Sequence, residues 1–187
     1  MKRLVIFASG SGTNAENIIS FFQNKKSVIV THVLTNNKDA KVIDRCNRLK
    51  INYLIFNKKD FYHSETILNF LKKEADFIIL AGFLWKVPST IIASFANKIV
   101  NIHPALLPKY GGKGMYGVHI HKKVLENNEN KTGITIHYVN EKYDDGAIIF
   151  QKEVLLDKDE TLFSIQKKIH QLEMDNFPKV IEGLICK

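Results

Sequence analysis

The sequence predicts an α/β protein with a Rossmann-like, doubly wound and mostly parallel sheet that carries helices on both faces. Two observations predict this class. Short runs that are apolar throughout, such as 4–8 and 77–81, alternate with segments of helical periodicity, as buried strands of a parallel sheet do. The first of these runs ends in a glycine-rich loop that opens a helix, which is typical of the start of such a sheet.

The same patterns place the elements of the first half in order. Predicted strands lie at 4–8, 28–34, 51–56, 77–81 and 99–102. Predicted helices lie at 14–23, 41–49 and 89–96. A further helix is predicted to begin with Asp60 as its N-cap, because apolar residues recur after it at 61, 67, 68 and 71.

The second half changes character. A helix is predicted at 118–127, and the alternating segment 134–139 predicts a half-exposed strand with a hairpin neighbour at 147–154. An antiparallel strand or hairpin therefore extends the parallel part of the sheet. The last segment predicts an amphipathic helix that is bent or interrupted before Pro178, on apolar residues at 162, 165, 169 and 172.

Size and composition predict one globular domain over 1–187. The 187 residues suffice for one domain of ordinary size, and 45% hydrophobic with 25% charged residues excludes a disordered chain. No stretch approaches the roughly 20 apolar residues of a membrane span, and the apolar run after Arg3 is too short for a signal peptide. Cys46 and Cys186 form no CxxC pair, so we expect a reducing, cytoplasmic location and no membrane partner.

The net charge of +8 is compatible with a lysine-rich solvated surface, with anionic small-molecule substrates or with nucleic acid. The lysines are scattered along the chain, and arginine is scarce. Nucleic-acid sites usually cluster Arg and Lys with aromatic residues between them. We therefore expect no nucleic-acid partner.

The glycine-rich loop consists of Gly10, Ser11, Gly12, Thr13 and Asn14. Glycines allow backbone N–H groups and a helix N-terminus to approach an anion, so the loop is a candidate phosphate site, with side-chain bonds from Thr13 or Asn14. It lacks the third glycine of a dinucleotide fingerprint and the GK[ST] of a Walker loop. The alternative is a turn that needs glycine for its geometry alone.

Three polar residues form a candidate catalytic trio: Asn101, His103 and Asp144. Asn101 interrupts an apolar strand, and a polar side chain there needs a partner or a cavity. His103 lies two residues further on, so both side chains point to the same side of an extended chain, at the edge where parallel sheets bind ligands. An amide, an imidazole and a carboxylate are the groups that acyl transfer needs. Asp144 lies in an Asp-Asp-Gly segment that could be only a turn.

His119 and His121 would share a face if the chain were extended between them, which raises the possibility of a metal pair. No third ligand follows at a recognisable spacing. We therefore expect no metal and keep His119 as a secondary candidate for the site.

Four motifs together resemble the folate-dependent formyltransferases. They are the loop 10–14, Ala81-Gly82-Phe83, the run from Asn101 to Pro108, and the run from Asp144 to Ile149. The resemblance covers nearly the whole chain. It implies transfer of a formyl group from 10-formyltetrahydrofolate to the amine of phosphoribosylglycinamide in purine biosynthesis, without a metal. It also implies a phosphate-binding half at 1–100 and a catalytic and folate-binding half at 101–187.

The resemblance assigns roles residue by residue. It implies that the loop 10–14 holds the substrate phosphate, and that Glu173 reaches the other end of the same substrate. It implies a catalytic role for the trio, in which Asn101 and protonated His103 stabilise a tetrahedral oxyanion while Asp144 holds the imidazole and a water. The implied folate-binding residues are Leu84, Trp85, Lys86, Val87, Asn101, Asn140, Glu141, Lys142, Tyr143 and Asp144. A monomer or homodimer is expected.

Three alternatives use the same motifs. Formyl transfer to the aminoacyl group of initiator tRNA would need a further RNA-binding domain, and a formyl-tetrahydrofolate hydrolase would use water as the acceptor, typically after a regulatory domain. A folate-binding module without turnover is disfavoured because all three side chains of the trio are present.

Overall fold

The computed structural model describes residues 1–186, and a mixed sheet forms its centre. The strands are β1 (Lys2–Phe7), β2 (Val28–Thr35), β3 (Asn52–Ile55), β4 (Phe77–Leu80), β5 (Ile99–His103), β6 (Lys131–Tyr138) and β7 (Ile148–Leu155). Within the described residues they form one seven-stranded sheet in the order β3-β2-β1-β4-β5-β6-β7. The first five strands are parallel, and β6 runs antiparallel to both β5 and β7. The predicted fold class is confirmed.

The helices connect the strands and close the chain. They are α1 (Thr13–Phe22), α2 (Val42–Leu49), α3 (Lys58–Tyr62), α4 (Thr66–Glu74), α5 (Ser89–Ser94), α6 (Val118–Glu126) and α7 (Leu162–Ile185). The prediction that Asp60 is an N-cap was wrong. Asn57 is the N-cap of α3, and Asp60 is its third residue, whose carboxylate accepts the Asn57 backbone N–H in a capping box. A separate helix, α4, then begins at Thr66.

The sheet is covered on both faces, because residues in the central strand β1 alternate between two apolar clusters. Leu4 and Ile6 pack with α1, α2, α6 and α7, whereas Val5 and Phe7 pack with α3, α4 and α5. A strand that is buried on both faces has to be apolar throughout. This explains why the run after Arg3 contains no polar residue before Ser9.

The prediction of a half-exposed strand at 134–139 was wrong. Residues 132–137 of β6 are all buried, because β6 lies between two strands, with α7 packed against it and the segment 104–108 on its other side. Thr135 is polar but can be buried in this strand because its hydroxyl has hydrogen-bond partners. Its hydroxyl donates to the Ala105 carbonyl (2.7 Å) and accepts from the Leu107 N–H (3.0 Å). A polar side chain with buried partners gives the same alternating pattern as a solvent-facing one.

The predicted interruption of the last helix before Pro178 is also wrong, since α7 continues from Leu162 to Ile185 with Pro178 inside it. Proline has no N–H to donate to the carbonyl four residues earlier, which is that of Met174. The side chain of Asn17, from α1, donates to this carbonyl instead, at 2.9 Å. The first and last helices, α1 and α7, are therefore linked by a hydrogen bond at the position where the proline leaves a helix carbonyl without its usual partner.

Within residues 1–186, no helix is long and apolar enough to cross a membrane.

Candidate functional site

A cavity of about 780 Å³ lies at the carboxyl ends of β1, β4 and β5. This edge of an open α/β sheet is where ligands usually bind. The cavity brings together residues that are far apart in the sequence: the loop 10–14, Asn101, His103, Asp144 and Glu173 all line it. Every predicted catalytic and substrate-binding residue therefore borders one space.

The loop 10–14 curves around the N-terminus of α1. Gly12 is the N-cap and has a left-handed backbone (φ 72°), and a side chain there would collide with Val42. The loop is held from α2, since the Val42 N–H donates to the Gly10 carbonyl (3.1 Å) and Arg45 Nε donates to the Ser11 carbonyl (2.7 Å). The first N–H groups of a helix have no partner within it, so they are free to bind an anion.

Asn14 and Glu173 are direct neighbours, with Asn14 Nδ2 2.9 Å from Glu173 Oε2. Glu173 therefore lies beside the loop rather than at a distance from it. Asn14 Oδ1 is buried and has no partner in the structure, so it remains free to accept a ligand hydrogen bond. His170, one turn before Glu173, also lines the cavity, and the Glu173 carboxylate raises the pKa of its imidazole.

Asn101 is oriented by a residue that the sequence analysis did not select. In the β5–β6 register Asn101 lies opposite His137, and Asn101 Nδ2 is 3.1 Å from His137 Nε2. His137 is 2% exposed, and burial lowers the pKa of its imidazole. Its Nδ1 donates to the Tyr138 carbonyl (2.8 Å), so Nε2 of the neutral ring accepts the Asn101 N–H. The second Nδ2 hydrogen of Asn101 remains available.

His103 is buried, and its two ring nitrogens face different groups. Nε2 lies 2.8 Å from the Tyr110 carbonyl, whereas Nδ1 lies 3.7 Å from Asp144 Oδ1. Asp144 Oδ1 is also 3.7 Å from His137 Nε2, while Asp144 Oδ2 accepts the Gly112 N–H at 2.9 Å. Both 3.7 Å separations are too long for hydrogen bonds. The trio thus surrounds a space instead of forming a closed chain of contacts.

A second, smaller pocket adjoins the main cavity and is lined by the predicted folate-binding segments. Its lining residues include Leu84, Trp85, Lys86, Val87, Asn140, Lys142 and Tyr143. Asn101 and Asp144 line both spaces. Glu141 lies further out, in a surface pocket with Tyr62 and Lys86. Trp85, which lines this pocket, is supported by aromatic neighbours, because it packs against Phe56, Phe61 and Phe83.

The structure separates His119 from His121. Both residues lie in α6, where side chains two positions apart point in different directions, so the common face that an extended chain would give does not form. His121 is buried and lines the main cavity, with Nδ1 unpartnered, and burial lowers the pKa of its imidazole. His119 is exposed and is not among the lining residues. Within residues 1–186 no group of three or more His, Cys, Asp and Glu side chains has the geometry of a metal site.

Sequence reasoning missed His137 and Tyr110, and it considered His121 only as half of a possible metal pair. A signal existed for His137, since it is a polar residue in an apolar strand. Its side chain lies on the same face of that strand as Thr135, and the strand pairs with β5. No signal existed for Tyr110, because it contributes its backbone carbonyl to His103.

The fold and the site define a doubly wound α/β protein with an Asn, His and Asp trio beside a glycine-rich loop that opens a helix. A family model described as formyl transferase matches residues 2–181, and the chain belongs to this formyl transferase family.

Individual relatives agree with this family. The chain is 34% identical over 99% of its length to the phosphoribosylglycinamide formyltransferase of Bacillus subtilis and covers 95% of that protein. It is 35% identical to the chloroplastic phosphoribosylglycinamide formyltransferase of Arabidopsis thaliana, over 100% of this chain, but spans only 66% of that relative's length.

Solved structures give the same result. The glycinamide ribonucleotide transformylase 1 of Geobacillus kaustophilus superimposes with a TM-score of 0.89 at 34% identity, over 99% of both chains. The phosphoribosylglycinamide formyltransferase of Bacillus halodurans gives 0.87 at 35% identity, over 100% of this chain and 96% of that one.

Proposed function

We propose that the protein transfers the formyl group of 10-formyltetrahydrofolate to the amine of phosphoribosylglycinamide, in purine biosynthesis. The observation that carries this proposal is the placement of Asn101, His103 and Asp144 around one cavity with the loop 10–14. Relatives named for this activity, at 34% and 35% identity, support it. The halves 1–100 and 101–187 would act as one domain, because β5 spans their boundary and pairs with β4 of the first half and β6 of the second.

The substrate phosphate binds the loop 10–14 in this proposal. The N–H groups at the start of α1 and the positive end of its dipole favour a dianion. Glu173 and Asn14 Oδ1 then face the neutral part of the substrate, since a carboxylate and a free amide oxygen both accept hydrogen bonds from hydroxyl or amine groups. This arrangement directs the amine away from the loop, towards Asn101.

Folate binds in the smaller pocket, between the segments 84–87 and 140–144. The aromatic and aliphatic side chains there suit a flat heteroaromatic ring, and the polar groups suit its edge. Asn101 and Asp144 line the passage between this pocket and the main cavity, so a formyl group projecting from the pocket reaches the trio.

The chemical step is attack of the substrate amine on the formyl carbon. A new C–N bond forms, and the carbonyl electrons move onto oxygen to give a tetrahedral oxyanion. Asn101 Nδ2–H and protonated His103, through Nδ1, stabilise that charge. The bond from carbon to folate N10 then breaks, and the proton lost by the amine passes through a water held by Asp144 to N10.

The 3.7 Å space between His103 Nδ1 and Asp144 Oδ1 supports this assignment. Two groups in direct contact would satisfy each other, whereas two groups facing a gap can both reach a reacting atom or a water placed between them. Amide and imidazole donors supply the charge stabilisation, so the proposal includes no metal. Cytoplasmic location and a monomeric or homodimeric state stay predictions.

The test follows the formyl group with purified full-length protein. We expect loss of formyl from 10-formyltetrahydrofolate only when phosphoribosylglycinamide is present, with one formylated product for each cofactor consumed. Equal loss without the acceptor would instead identify a hydrolase. No loss under either condition, with cofactor binding retained, would identify a binding module.

A further inference from the structure

The segment 109–112 holds both His103 and Asp144 by backbone groups. The Tyr110 carbonyl lies 2.8 Å from His103 Nε2, and the Gly112 N–H donates to Asp144 Oδ2 at 2.9 Å. Tyr110 has a left-handed backbone (φ 59°), a conformation that residues other than glycine rarely adopt. Some other contact must therefore stabilise the orientation of this carbonyl.

That contact is made by the Tyr110 side chain at the end of α6. Its hydroxyl donates to Glu129 Oε1 and accepts from Asn127 Nδ2, both at 2.8 Å. Lys109 Nζ donates to the same Glu129 oxygen at 2.9 Å. Tyr110, Asn127 and Glu129 together form a tyrosine clamp. The atom that contacts His103 is the backbone carbonyl of Tyr110 itself. The clamp therefore acts on His103 through the backbone and not through a side chain.

The clamp has a chemical consequence, because a carbonyl oxygen can only accept a hydrogen bond. His103 Nε2 must therefore carry a hydrogen to bond Tyr110, in both the neutral and the charged ring. The nitrogen that gains and loses a proton is then Nδ1, which faces the space next to Asp144. The other neutral tautomer would place two acceptors against each other at 2.8 Å.

We propose that the tyrosine clamp is a positioning device: by holding the Tyr110 carbonyl, it fixes the His103 tautomer and leaves Nδ1 as the nitrogen that acts in the reaction. The catalytic part of this proposal rests on the proposed formyl transfer. The tautomer part does not, since it follows from the hydrogen-bond geometry alone.

The test compares Tyr110→Phe with Tyr53→Phe. Both substitutions remove one hydroxyl, but Tyr53 lies partly exposed on the edge strand β3, away from the cavity. Nitrogen-15 NMR of the His103 ring should show hydrogen on Nε2 in the wild type and in Tyr53→Phe. In Tyr110→Phe we expect signals of a second tautomer, together with a kcat lowered about tenfold or more and KM values for both substrates close to wild type.

Glu129 supplies an independent pair of variants should Tyr110→Phe not fold. Glu129→Gln keeps an oxygen acceptor for the Tyr110 hydroxyl and should retain the Nε2–H signal and most of kcat, whereas Glu129→Ala should lose both. An unchanged tautomer in folded Tyr110→Phe or Glu129→Ala would overturn the proposal. A raised KM with unchanged kcat would also overturn it, because the segment would then serve to bind substrate. If the wild type showed the tautomer without formyl transfer, the proposed function alone would fail.

Discussion

Asn101 Nδ2 and His137 Nε2 lie 3.1 Å apart, and they join β5 to its antiparallel neighbour β6. Burial keeps His137 neutral, since it lowers the pKa of the ring, and a neutral ring with hydrogen on Nδ1 can only accept at Nε2. The contact therefore fixes which end of the Asn101 amide carries its N–H groups into the site.

The first prediction concerns this pair. Asn101→Ala removes the proposed oxyanion donor and should lower kcat by about 10² to 10³. His137→Ala keeps the Asn101 amide but removes the contact that orients it, so we expect a smaller decrease in kcat, about tenfold or more. In the double variant the two losses should combine to much less than their product, because His137 acts through Asn101. Fully multiplicative losses would show that the two residues act separately.

His103 and Asp144 provide the second prediction. His103→Ala and Asp144→Asn should each lower turnover by about 10² or more, since each removes a group to which the proposed reaction assigns charge stabilisation or proton transfer. Both should stay folded. Asparagine tolerates the positive φ of 53° at 144, and its amide oxygen can still accept the Gly112 N–H. Thermal melting alongside single-turnover kinetics checks both points, and near-normal turnover in His103→Ala would refute its catalytic assignment.

Two glycines of the loop 10–14 give a matched pair for the third prediction. Gly12→Ala should destabilise the protein by about 2 kcal/mol or more, because a side chain at φ 72° is strained and would also collide with Val42. Gly10→Ala should have little effect on stability, since no atom lies within 4 Å of the added carbon. Urea unfolding measures both. Equal stabilities would mean that the loop geometry does not require glycine at 12.

Stability should depend on pH between about 7 and 5. Burial lowers the pKa of His121 and His137, so the unfolded chain binds more protons than the folded one as pH falls through about 6.5. The free energy of unfolding should then decrease with falling pH, by up to about 1.4 kcal/mol per pH unit for each such histidine. The raised pKa of the more exposed His170 acts in the opposite direction and should only reduce this slope.

Urea titrations at several pH values measure the slope. His121→Gln should make it shallower, whereas His63→Gln, at an exposed position, should leave it unchanged. Stability that increases on acidification through this range would contradict the assignment of neutral, buried rings.

The proline in α7 gives a fifth prediction. Asn17→Ala leaves the Met174 carbonyl without its partner and should cost about 1 to 3 kcal/mol of stability. In a Pro178→Ala background the cost should be smaller, because the alanine N–H can bond that carbonyl within the helix. A double-mutant cycle in urea provides the measurement, and equal costs in both backgrounds would show that Asn17 does not substitute for the missing bond.

The sequence was informative where chemistry and secondary structure coincide. A polar Asn101 in an apolar strand, followed by His103, could be predicted to line the crevice at the strand end, because strand periodicity alone puts both side chains on one side. The glycine-rich loop could be predicted because a tight turn between a strand and a helix requires backbone conformations that glycine adopts most easily. The contacts of His137 could not, since they depend on which residues of β5 and β6 lie opposite each other. His103's partner was out of reach because a backbone carbonyl leaves no trace in residue identity.

The contact between Asn14 and Glu173 joins residues 159 positions apart, and Asn17 meets Met174 beside it. Protein synthesis proceeds from the N-terminus, so the loop 10–14 leaves the ribosome long before α7 exists. Until the last helix has emerged, the loop lacks the carboxylate and the helix that complete its cavity. Completion of this cavity is therefore a late event in the synthesis of each new chain, and a polypeptide stalled before residue 173 would carry the trio without the finished cavity that the proposed substrate needs.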